Sequence, residues 1–171
     1  MTDGSPADLS GTGAPGGPAP HAQRDSGDAW VYGPDGRRYW GRFGAAGLLV
    51  HHPAQGILLQ HRAVWSHFGD TWGLPGGARH ENETAFDAAL REAREEAGVP
   101  AHLMRLKFTS LFDLGFWSYT TVVVEATEIF EPVISDLESI ALRWVPADAV
   151  ELLALHPGFA ASWLALRARL T

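Results

Sequence analysis

No cysteine occurs among the 171 residues, which removes disulfides, thiolate metal sites and thiol nucleophiles together. Positive charge is also scarce. The 13 Lys and Arg stand against 20 Asp and Glu, a formal charge of −7, and a broad cationic surface for nucleic-acid phosphates cannot be built from that balance. Nor is there an apolar run of about 18 residues to span a bilayer. The first residues, MTDGSPADLS, carry acids where a secretory leader has its basic region, and no apolar stretch follows. No export signal is legible, so a cytoplasmic location is expected. These absences predict neither a nucleic-acid polymer nor a membrane as partner.

What is present is ordinary globular composition, 46% hydrophobic and 19% charged, in a chain long enough for one domain with a proper core. Residues 1–28, rich in Gly, Pro and Ala, bury too little to offset the entropy of ordering and are expected to be a disordered tail. Residues 29–171 are expected to form the domain. In AWVYGPDGRRYWGRF two aromatic-containing runs flank GPDG, whose turn chemistry predicts an edge hairpin. Next, GAAGLLVHH and GILLQHRA read as strands joined by PAQG, RLKFTSLFDLGF and WSYTTVVVEA as a second pair, SIALRWV as a further strand, and FAASWLALRARL as a closing amphipathic helix. Strands on both sides of a helix, with a second helix last, predict mixed α/β architecture around one core.

The helix after GGARHENET carries the chemistry. Thr84 is placed to cap it, with Asp87 three residues on, and Gly98 stands where a left-handed residue ends a helix. At roughly 100° per residue, with Glu92 at zero, Glu95 falls near −60° and Glu96 near +40°, while Phe86, Leu90, Ala93 and Ala97 gather between roughly 100° and 160° as a core stripe. One edge is therefore acidic and the other apolar. Most acidic edges are simply solvated. Here, however, the acids occupy the last two turns, where the helix dipole disfavours them by about 0.3 to 1 kcal/mol each, and they repel one another. Arg91 and Glu95 are four residues apart but in the weaker orientation. A divalent cation would reverse these penalties, and hard carboxylate oxygens select Mg²⁺ or Mn²⁺ over Zn²⁺. Residue geometry alone leaves a solvated edge and a metal site both open.

The spacing adds a further reading. Gly77, five residues, Glu83, seven residues, Arg91-Glu92, then Glu95-Glu96, Gly98 and Val99 match the Nudix box throughout. Seven fixed positions would coincide by chance about once in 10⁹ placements. The sequence resembles a Nudix hydrolase, and YWGRFGAAGLLV, LLQHRAVWSHFGDTWGLPGGA and LHPGFAASW look like MutT-like members from actinobacteria. The resemblance implies the Nudix fold, a mixed β-sheet sandwiched between helices (α/β/α), and hydrolysis of a nucleoside diphosphate linked to another moiety. It implies Mg²⁺, with Mn²⁺ as substitute, held by Glu92, Glu95, Glu96 and the carbonyl of Gly76. Glu92 and Glu95 would share the catalytic work, with Arg91 orienting a glutamate, Glu83 steadying the glycine loop, and Arg62 contacting substrate phosphate. A nucleotide is then the small-molecule partner, while monomer and homodimer stay open.

Of the remaining candidates, Glu138 is an extra base or metal ligand on a later loop, or a solvated glutamate. Trp65, Phe68, Trp72, Phe116 and Trp117 can stack a base, although large aromatics in small domains mostly belong to cores. His61 and His67 border the expected mouth, and His156 stands near the position where some MutT-like enzymes present an Asn to a damaged purine. The leading expectation is a MutT-like pyrophosphohydrolase for nucleotide pool sanitation. It would cleave a nucleoside triphosphate, 8-oxo-dGTP among the candidates, to monophosphate and pyrophosphate. The alternatives are a hydrolase of ADP-ribose, a nucleotide sugar or a dinucleotide, and, from another class, a non-catalytic Nudix-fold nucleotide sensor.

Overall fold

Strands form where the sequence is apolar on both faces. In β3 (Ala45–His52) and β4 (Gly56–Arg62) every residue of the first five is buried, and the same holds for the centre of β8 (Ser118–Ala126). Such runs require cover on two sides. The computed structural model describes residues 25–170 and supplies that cover as two helices, α1 (Ala85–Ala97) and α2 (Pro157–Arg167). Leu48, Val50, Leu58 and Val122 pack toward α1, whereas Leu49, Ile57, Leu59 and Val123 pack toward Phe159, Trp163 and Leu166 of α2. The expected α/β/α sandwich is what forms. Among the described residues no helix is long and apolar enough to cross a membrane.

The sheet is mixed. β3 runs parallel to β8, which pairs antiparallel with β7 (Met104–Asp113). β4 is antiparallel to both β5 (Trp72–Gly73) and β9 (Ser139–Val145). Sequence periodicity missed β5 and β6 (Gly76–Ala78), because two or three residues rich in glycine carry no pattern. Yet β6 decides the architecture. β3 pairs with β4 only at His51 and His52, and at its other end Ala45–Gly47 pair with β6 instead. The sheet therefore divides between β3 and β4, and the functional cleft opens at that end.

The hairpin flanking GPDG forms as β1 (Trp30–Tyr32) and β2 (Arg38–Trp40). It is a separate two-stranded sheet, not an edge of the main one. The contacts of Asp25 and Gly27 extend the body of the protein into the segment expected to be tail. Asp25 pairs with Arg42 at 2.7 Å and its carbonyl accepts from Glu81 N–H. Residues 1–24 of that expected tail lie outside the described residues.

α1 is capped as its sequence predicts: Thr84 Oγ1 accepts from Asp87 N–H at 3.1 Å, and Gly98 ends the helix at φ 64°. Its apolar stripe is wider than helical arithmetic predicts. Ala88 and Ala89 are fully buried, and so is most of Glu96, whereas Phe86 and Leu90 are only partly buried. The reason is that α1 lies against both β3 and β6, so Glu92 and Glu96 of the acidic edge meet a second strand while Glu95 stays exposed. Thr84→Ala should lower stability by about 1 kcal/mol, and Gly98→Ala by about 1–2 kcal/mol through left-handed strain. Denaturant melts measure both, and an unchanged midpoint in either variant would refute its cap.

Candidate active site

Two glycines let a backbone lie directly on the acids of α1. Gly76 N–H donates to Glu96 Oε2 at 2.9 Å. A Cβ on Gly77 would come within 2.7 Å of the Glu92 carboxyl carbon, so only glycine admits this approach without displacing the carboxylate. Glu96 is 6% exposed. Burial, followed by the charge of Glu92, pushes its pKa up to about 8. Burial likewise raises Glu92, against the opposing pull of Arg91.

Arg91 organises the rest. Its Nε and Nη2 hold both oxygens of Glu83 at 2.9 Å, Nη1 donates to Glu92 Oε1 at 2.6 Å, and Nη2 also reaches the carbonyl of Ala78. Glu95 lies 3.5 Å from the same guanidinium. Glu83 accepts in addition from His80 N–H, and its carbonyl takes the Arg79 side chain. One arginine thus ties the loop before α1 to the helix, and fork-to-fork geometry fixes its direction.

The cleft over these groups has a volume of about 1720 Å³. Gly76, Arg91, Glu92, Glu95, Glu96 and Arg62 all line it, as do Glu138, Trp65, His67, Phe68, Trp117 and His156. The structure removes some candidates. Trp72 is 8% exposed in the core with His61 stacked on it at 4.6 Å, and neither lines the cleft. Phe116 packs by Tyr39, outside the cleft. The expectation of core burial holds for Trp72 and fails for Trp65 and Phe68, which are 69% and 46% exposed on the loop between β4 and β5. Arg62 sits where β9 bulges at Ile140 in its pairing with β4, its Nε donating to the His67 carbonyl at 3.2 Å.

Several lining residues escaped sequence reasoning. Asp28 and Asp136 bring further carboxylates, and Tyr119 enters beneath Gly47, whose missing Cβ leaves space for the hydroxyl. The hairpin contributes Trp30, Arg38 and Trp40. The Arg38 guanidinium lies 4.4 Å from the Trp30 ring centre, and Trp30 meets His67 edge-on at 5.0 Å. At the start of α2, His156 Nδ1 accepts from Gly158 N–H at 3.1 Å. Burial depresses its pKa to about 4, the charges of Arg62 and His67 adding to the effect. The ring is neutral near pH 7, its proton on Nε2, a fixed donor.

Among the described residues no three His, Cys, Asp or Glu side chains are already gathered as a metal centre. Glu92 is engaged by Arg91, and half of the Glu95 side chain is in solvent. The donor chemistry nevertheless fits a divalent cation: hard oxygens on one helix, with a buried carboxylate that has a single N–H partner and a neighbouring negative charge.

The NUDIX domain profile matches residues 41–166. A Mycobacterium tuberculosis protein named "Putative 8-oxo-dGTP diphosphatase 3" is 49% identical, across 84% of this chain and 70% of that protein. A Nudix hydrolase from M. smegmatis, RenU, has a crystal structure that superposes with a TM-score of 0.76 at 49% identity, over 83% of this chain and 94% of that one. A nucleoside triphosphate pyrophosphatase/Nudix hydrolase fusion protein of Bifidobacterium longum is 38% identical over 84% of this chain and 32% of its own length. The chain belongs to the NUDIX family, in its MutT-like branch, and is a hydrolase of phosphoanhydride bonds. Hydrolases of this family generally need divalent metal ions.

The Arg91 clamp has a pH signature. Hydrogen bonding from Arg91 holds the Glu83 carboxyl below its ordinary 4.5, so its stabilisation is complete above pH 4.5 and disappears as pH falls through the folded-state value. Glu83→Gln should cost about 1–3 kcal/mol at pH 7 and progressively less in acid. Chemical denaturation at both pH values measures this, and a pH-independent difference would contradict the clamp.

Proposed function

We propose that the protein hydrolyses a nucleoside triphosphate by attack of water at the β-phosphorus, releasing monophosphate and pyrophosphate, with 8-oxo-dGTP among its substrates. One observation carries this reading: an acidic helix edge, its Glu96 buried under a glycine strand, opens into the same cleft as an arginine and an aromatic wall. The name of the mycobacterial relative supports the oxidised guanine nucleotide.

Glu92, Glu95 and Glu96, with the Gly76 carbonyl, are the groups that would hold Mg²⁺ or, as substitute, Mn²⁺. When bound, the cation lowers the pKa of a water and neutralises phosphate oxygens. The chain's own residues do the rest. Glu92 and Glu95 face the reacting phosphate, and Arg91 keeps Glu92 in place through the short contact already described. Arg62 would leave the His67 carbonyl for a phosphate oxygen, a stronger bond because both partners are then charged. Phe68, Trp65 and Trp30 offer faces or edges to a flat base, and His156 Nε2–H offers one donor to an acceptor on it. The nucleotide pool this reading addresses is the cytoplasmic one.

A kcat/KM comparison of 8-oxo-dGTP, dGTP, dCTP, ADP-ribose and diadenosine polyphosphates, with products resolved, tests the proposal. Monophosphate and pyrophosphate from a triphosphate are expected. Orthophosphate as the sole inorganic product, or turnover of ADP-ribose or a dinucleotide alone, would overturn it. Arg62→Ala should raise KM about 10- to 100-fold, the loss of one charged phosphate contact, with kcat changed far less. An unchanged KM would remove Arg62 from the binding site.

A further inference from the structure

Strand β4 reads GILLQHR, and its fifth residue breaks the apolar pattern. Gln60 is 0% exposed, on the same strand face as Leu58 and Arg62 by the period of two. Its Nε2 donates to Ser139 Oγ at 2.8 Å, while its Oε1 has no partner among the described residues. A buried amide oxygen left so is unfavourable, and a leucine would fill the position without that penalty. The polarity is therefore unexplained by packing.

Its direction supplies the explanation. An amide N–H can only donate, so the Ser139 hydroxyl accepts from Gln60 and must spend its own proton elsewhere. It does so on Asp136 Oδ1, at 2.9 Å. Ser139 is itself 9% exposed and is paired with Arg62 just past the bulge at Ile140 of β9. The relay Gln60–Ser139–Asp136 thus starts in the closed core and ends on a carboxylate that lines the cleft with Glu96 and Arg62. One Asp136 oxygen is fixed by the relay, and the other has no hydrogen-bond partner among the described residues. Glu138, two positions on, lines the same cleft without such support. Its side chain is exposed, and among the described residues only its carbonyl is engaged, by Ala63 N–H at 2.7 Å.

We propose that Asp136 is the water-orienting carboxylate of the reaction centre, its free oxygen accepting a hydrogen bond from the attacking water, and that Ser139 and Gln60 are the residues that position it. The inference rests on the hydrolase reading of the cleft and deepens it. A carboxylate anchored by one oxygen keeps its second in a constant direction, which is what orienting a nucleophile requires.

The test is kcat and KM, with melting temperatures, for wild type, Asp136→Asn, Ser139→Ala, Ser139→Thr, Gln60→Leu and the Gln60→Leu/Asp136→Asn double variant. It uses whichever nucleotide of the panel above is turned over fastest. Asp136→Asn should lower kcat about 100-fold, and Ser139→Ala and Gln60→Leu about 10-fold each, with KM within about twofold in all three. Ser139→Thr, which keeps the hydroxyl, should restore most of the rate. The double variant should be no slower than Asp136→Asn alone, since a relay acts as a unit, and Gln60→Leu should melt no lower than wild type. Wild-type kcat in Asp136→Asn, a rise in KM in place of the fall in kcat, or multiplicative losses in the double variant would each overturn the proposal. Should only a nucleotide other than a triphosphate be hydrolysed, the triphosphate reading falls while Asp136 is still judged on that substrate. Absence of turnover on every nucleotide overturns both.

Discussion

The structure turns on the contact between the backbone at Gly76 and Gly77 and the carboxylates of Glu96 and Glu92. It brings a strand edge onto the acidic side of a helix, closer than any side chain would permit. Because β6 occupies the edge of β3 there, β4 pairs elsewhere and the sheet opens into a cleft. Because Glu96 is buried beside Glu92, its charge is costly in the protein alone. A cleft and an unmet negative charge thus arise from one packing event. Stability is sacrificed at this point, as happens where a site is built to receive something.

Arg91 prevents that sacrifice from spreading. It neutralises Glu83 and Glu92 and steadies the loop that carries the glycines, while Glu96 has no cationic partner in direct contact among the described residues. The arrangement accounts for a protein of charge −7 that handles polyanions. Local cations line the cleft despite the net charge: Arg62 at the end of β4 and Arg38 on the hairpin. The hairpin precedes the residues matched by the family profile.

Much of this was legible in the sequence where the signal is local. The spacing from Gly77 to Val99, the Thr84 and Gly98 caps and the continuous apolar strands are set by nearest neighbours along the chain, and the family and fold followed from them. What stayed hidden depends on contacts between distant segments. Ala88 and Ala89 are buried because the sheet strands β3, β4 and β8, distant in sequence, pack against them. Trp72 and Trp65 are the same residue type seven positions apart, one in the core and one in solvent, and no composition rule separates them. Asp28 and Asp136 are unremarkable acids until folding brings them to the cleft. Gln60 was the one distant feature with a visible sign, a polar residue at a core position of an apolar strand.

Everything proposed for the cleft requires the carboxylates of α1 to be completed by a divalent cation. Calorimetric titration of Mg²⁺ and Mn²⁺ into wild type and Glu96→Gln, each with and without a non-hydrolysable nucleoside triphosphate, tests it most directly. Wild type should take up the metal, more tightly with the nucleotide present, and Glu96→Gln should bind it at least about tenfold more weakly, as expected for loss of a ligand. Equal uptake by both proteins, or none by either, would contradict the account.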